Sequence, residues 1–97
     1  MSDMGDLFNE MIASLQEVRQ SVESEMEPLS QTPYLDTRSL VVLDQSLRTF
    51  TAQAEALVVM MSETSAPDEQ VDAVRDLVGF FRGARERITS MLIVGRG

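Results

Sequence analysis

The chain contains no cysteine, histidine, lysine or tryptophan, a single tyrosine, and aromatic residues at only 5% of its 97 positions. Each absence removes a class of chemistry. Without Cys or His there is no disulfide framework, thiol nucleophile, imidazole base, haem ligand or structural zinc site of the usual kind. No P-loop, GxGxxG, HExxH or EF-hand loop is present. A carboxylate-only metal site remains formally open, and its best material is Asp68, Asp72 and Asp76 with Glu69. Those acids share one helix face near its start, where a solvated, dipole-favoured stripe is the simpler reading. The expectation is therefore a non-enzymatic protein without cofactor or metal.

Long apolar runs are also missing. The longest, Ala56 to Met61, is far too short to cross a bilayer. The opening Ser2, Asp3 and Asp6 lack the basic stretch of a signal peptide, so a cytoplasmic location and no membrane partner are expected. Positive charge is scarce, with a formal net charge of −8. Phosphate backbones need a net basic surface, so direct binding to nucleic acid is not expected. An acidic balance fits solubility, a basic protein partner or mimicry of nucleic acid.

What the chain does have is hydrophobic residues at 43%, enough for one small core, arranged at helical spacing. Met4, Phe8, Met11, Leu15, Val18 and Val22 alternate intervals of four and three, the seam of a coiled-coil-like helix over about residues 4–27. Leu7 and Ile12 widen it, Asp3 offers a cap, and Pro28 is expected to end it. A second helix over about 36–63, opened by Thr32-Pro33 or Asp36, carries Leu40, Leu43, Leu47, Phe50, Ala54, Leu57 and Met61. Its two ends are apolar around most of the circumference. A third, over about 67–94, carries Val71, Val74, Val78, Phe81, Ile88 and Leu92, with Arg85 at one seam position. A second stripe of Ala73, Leu77, Phe80, Ala84 and Met91 makes its apolar face wide enough for two neighbours. Ser65 with Asp68 resembles a capping box at its start, and Gly95 is expected to stop it.

The short connections predict one all-α domain over residues 1–97, an up-down-up antiparallel three-helix bundle with coiled-coil-like seams. In that topology Arg82, Arg85, Arg87 and Arg96 lie near Glu23, Glu25 and Glu27 and compensate them. The same basic segment has little need of an anionic membrane. Tyr34 is expected to pack over one end of the bundle.

Three features point to contact with another protein. The apolar inventory exceeds a minimal seam, by Val41, Val42, Val58, Val59, Met60, Leu77, Phe80, Met91, Ile93 and Val94. Such a surplus either fills the bundle's ends or forms an exposed interaction patch. Methionines such as Met60 and Met91 suit an adaptable groove for a partner helix. Gly79 and Gly83, one turn apart, invite close approach of another helix. The expected partner site is thus Val58, Val59, Met60, Leu77, Gly79, Phe80, Gly83 and Met91. It would serve an adaptor, chaperone-like or assembly role through self-association or a hetero-complex. The alternative is an acidic inhibitor that occludes or mimics nucleic acid on a basic partner.

Overall fold

The computed structural model describes the backbone of residues 4–31 and 37–96, and the side chains of 5–28 and 37–93. Among the described residues there are three α-helices and no strand: α1 (Met4–Gln31), α2 (Thr37–Glu63) and α3 (Asp68–Arg96). They form a rod 55 Å long and 19 by 18 Å across. The all-α, three-helix bundle expected from the spacing is the fold observed. The caps at Asp3, Thr32, Pro33 and Asp36, and Tyr34, lie outside the described residues, as do the side chains of Met4, Val94 and Arg96.

Two helix ends differ from expectation. Pro28 lies inside α1, which continues to Gln31, and Gly95 lies inside α3, which continues to Arg96. A proline removes one intrahelical donor, here the bond to the Ser24 carbonyl, and near a helix end few turns remain to be lost. Glycine commonly stops a helix by adopting left-handed geometry, and among the described residues no glycine has positive φ.

The turn between α2 and α3 corrects a third expectation. Ser65 is not an N-cap; it stands at φ 56°, in the left-handed region, two residues past the end of α2. The Ala66 N–H donates to the Met61 carbonyl at 3.0 Å, the long bond of a Schellman motif. Ala66 packs against the core, completing that motif's apolar contact. α3 instead starts from Pro67, whose carbonyl accepts from the N–H groups of Gln70 and Val71 at 3.0 and 3.2 Å. Asp68 and Glu69 then occupy the first turn, where the dipole favours them.

α3 is the central element. It packs against α2 most closely and against α1 less so, whereas the backbones of α1 and α2 stand furthest apart. Its wide apolar face serves two neighbours, as the double stripe implies. Val74, Leu77, Phe81, Ala84 and Ile88 are buried on it. They meet Leu40, Leu43, Leu47, Ala54, Leu57 and Met61 of α2, and Phe8, Ile12, Leu15, Val22 and Met26 of α1, in one core. The single buried polar residue there among the described residues, Thr51, returns its hydroxyl to the Leu47 carbonyl at 2.6 Å.

Polar contacts fix the topology. The Gln70 amide nitrogen donates to the Gly5 carbonyl at 3.1 Å and to Asn9 Oδ1 at 2.9 Å. The starts of α1 and α3 therefore share a pole, as up-down-up order requires. The Gln70 Oε1 is left buried without a partner among the described residues.

The arginine compensation is realised differently from the expectation. Arg82 pairs with Glu55 at 2.7 Å and Arg85 with Asp44 at 3.2 Å, both on α2. Glu23 is paired within its own helix by Arg19 at 3.1 Å. The closer packing of α3 on α2 explains the preference. Arg87 alone of the described α3 arginines lines a groove with Glu23 and Glu27.

Asp44 also accepts from Arg48 at 3.2 Å, and its side chain is only 15% exposed. Replacing it by Ala removes two charge-assisted bonds and is expected to cost about 1–3 kcal/mol. Glu55→Ala breaks a pair exposed on both sides and is expected to cost ~0.2–1 kcal/mol. Urea unfolding of both variants checks this order. Ser65→Gly relieves the left-handed strain and is expected to stabilise by about 1 kcal/mol, read as a higher Tm; a lower Tm contradicts the Schellman assignment.

Candidate functional site

The buried stripe of α1 is rotated from the expected seam. Phe8, Ile12, Leu15, Val22 and Met26 are buried, and with the half-exposed Arg19 they again follow intervals of four and three. Arg19 is tolerated there because its guanidinium lies over the Phe80 ring, 4.7 Å from the centroid, while its Nε reaches Glu23. Phe80 meets Phe81 edge-on at 5.6 Å, and Phe81 meets Phe50 at 6.2 Å. This chain of contacts ties all three helices together at mid-height.

The rotation releases a second stripe of α1. Met11, Ser14, Val18, Ser21, Glu25 and Pro28 follow intervals of three and four and face the gap beside α2. From α2, Ser39, Leu43, Ser46, Phe50, Gln53, Leu57 and Met60 do the same at intervals of four and three. The two stripes line two adjoining hollows of about 880 and 390 Å³. Ser14, Val18 and Phe50 belong to both, so the hollows form one groove. From Met11 to Pro28 it spans about 26 Å along the helix axis.

Its chemistry follows from the side chains. Val18, Val22, Leu43, Phe50 and Leu57 form an apolar floor of buried and half-buried groups. Val42 at 56% and Met60 at 39% exposure stand on the α2 wall. Ser14, Ser21, Ser39 and Ser46 are small and leave the holes between them. In heptad terms Leu15, Val22, Leu40, Leu47, Ala54 and Met61 flank the stripes on the core side. Glu10, Glu17 and Ser24 of α1 and Val42, Thr49 and Ala56 of α2 flank them on the outer side, all exposed.

The residues singled out from sequence do not converge on one place. Met60 lies in the α1–α2 groove. Gly79, Phe80 and Gly83 line a different one, of about 540 Å³, between α1 and α3 with Glu23, Met26, Glu27, Ala84 and Arg87. Val59 is 56% exposed, while Val58 and Met91 are half-buried against the core. Leu77 is 1% exposed and belongs to the core, so it presents nothing to a partner. Of the remaining surplus, Val41, Val42 and Ile93 are exposed, the last at 67%. Met11, Val18 and Phe50, seam positions in the sequence, are half-buried against the core and also line the groove. The heptad spacing of Ser14 and Ser21 on α1 and of Ser39 and Ser46 on α2 is present in the sequence, but which face they share depends on how the helices are rotated.

Among the described residues no group of acids is placed to hold a metal ion, and Asp68, Glu69, Asp72 and Asp76 are all exposed. Among the described residues no helix is long and apolar enough to cross a membrane.

The glycine line is open. A Cβ at either Gly79 or Gly83 meets nothing within 4 Å. Internal packing therefore gives no reason for glycine at either position. Gly79→Ala and Gly83→Ala are each expected to stabilise by ~1 kcal/mol through helix propensity, measured by thermal unfolding. Loss of stability would show that the chain uses the thin line itself. Comparison with protein families, characterised proteins and solved structures finds no match, and the groove's own geometry carries the functional reading.

Proposed function

We propose that this protein is a non-enzymatic interaction module that seats one amphipathic helix of a partner protein in the α1–α2 groove. The observation that carries this reading is the pair of heptad-spaced stripes lining a single groove between the two helices whose backbones stand furthest apart. A helix laid there meets alternating large and small residues at knobs-into-holes spacing and turns three helices into four. The groove's length accommodates about 17 residues of helix. Burial of Val42, Met60 and the half-buried Val18 and Phe50 would supply the apolar gain, at ~25 cal/mol per Å². The reading keeps the adaptor-like class expected from the sequence but moves its site.

The test uses a synthetic helical peptide with leucines at heptad spacing and only Ala and Gln elsewhere. Methyl NMR is expected to show shifts at Met11, Val18 and Met60. The double variant Ser14→Tyr, Ser46→Tyr fills the holes at exposed positions, so it stays folded and loses those shifts. Shifts gathered around Met26 and Ala84 instead would move the site to the α1–α3 groove. No shift anywhere in a folded protein would remove the proposal.

A further inference from the structure

The groove is charged on one wall only, and that asymmetry says what its occupant looks like. This step rests on the groove being the docking surface. On the α1 side the outer flank carries Glu10 and Glu17 one heptad apart, both exposed, and Glu25 stands in the lining itself. None of these three makes an ion pair or side-chain hydrogen bond among the described residues. On the α2 side the corresponding flank is Val42, Thr49 and Ala56, with no charge. No arginine lines the groove.

We infer that the occupant is a helix of a partner protein with lysines or arginines at seven-residue spacing along the edge that meets α1, and small uncharged residues along the edge that meets α2. Charges at these flanking positions set partner choice and orientation in helical bundles. An occupant with acids on that edge would place like charges beside Glu10, Glu17 and Glu25 in a partly desolvated groove. A second copy of this chain is a poor occupant for the same reason. Its groove-facing stripes bring no cation, and they bring a second Glu25 instead. The chain's net charge of −8 adds repulsion between copies and attraction for a basic partner.

The experiment compares two 18-residue peptides that share heptad leucines and differ only along one edge, one carrying lysines at seven-residue spacing and the other glutamates. Fluorescence anisotropy of dye-labelled peptides gives both affinities at low and at physiological salt. The lysine peptide is expected to bind about tenfold tighter at low salt, with the gap narrowing as salt rises. Glu10→Lys with Glu17→Lys, at two exposed positions, is expected to reverse the preference. Equal binding of both peptides, abolished by Ser14→Tyr with Ser46→Tyr, would keep the groove and overturn the charge inference. Binding of the lysine peptide that survives the tyrosine variant would mean the acidic surface at large attracts it, and the inference fails. If neither peptide binds a protein that circular dichroism shows to be folded, the groove reading falls as well. A dimer that the tyrosine variant dissociates in light scattering would make a second copy the occupant and overturn both.

Discussion

α3 has to bury apolar side chains on two sides at once, and the other helices take their places from that demand. Val74, Leu77, Phe81, Ala84 and Ile88 are buried across a face too wide for one neighbour. α2 takes the larger share, reinforced by Arg82–Glu55 and Arg85–Asp44. α1 takes the rest, held at its start by Gln70 and at mid-height by Arg19 over Phe80. With both helices committed to α3, their backbones stand further from each other than from it, and apolar side chains of both face the gap between them.

Much of this was legible from spacing. Three helices, their order, a short turn before α3 and the double face of α3 all follow from period and punctuation. The rotation of α1 did not. Two overlapping heptad stripes run along it, one through Met11 and Val18 and one through Ile12 and Met26. Apolar count favours the first. The second is the one buried, and Arg19, which looks like a flaw in it, finds an aromatic face on α3 and a carboxylate one turn along its own helix. Such a gain depends on Phe80 arriving from another helix, 61 positions away in the chain, and no local pattern records it. The misreading of Ser65 has a similar origin. A serine before an acidic first turn reads as a cap, but the closing bond from Ala66 to Met61 asks for a left-handed residue there.

The candidate site was hidden for a related reason. Apolar surplus at the ends of α2 pointed to an interaction surface, and Val42, Val59 and Met60 are indeed exposed. The groove, however, is built largely from residues that a closed bundle would bury, together with four serines that look like ordinary surface. Its identity depends on α1 and α2 standing apart. A three-helix bundle with one open seam has the parts of a four-helix bundle and lacks one helix. Occupation by a partner would then stabilise the whole rod by mass action, α1 most of all because it has the fewest contacts of its own.

The openness of that seam is the claim on which the rest stands, and the absence of native cysteine makes it directly measurable. Single substitutions Val18→Cys in the groove, Val74→Cys in the core and Ser62→Cys on the surface can be followed by thiol labelling under native conditions. An open seam predicts that Val18→Cys reacts in the native state, more slowly than Ser62→Cys but far faster than Val74→Cys, which waits for global unfolding. Protection of Val18→Cys equal to that of Val74→Cys would mean that α1 and α2 close on each other, and the groove would not exist in solution.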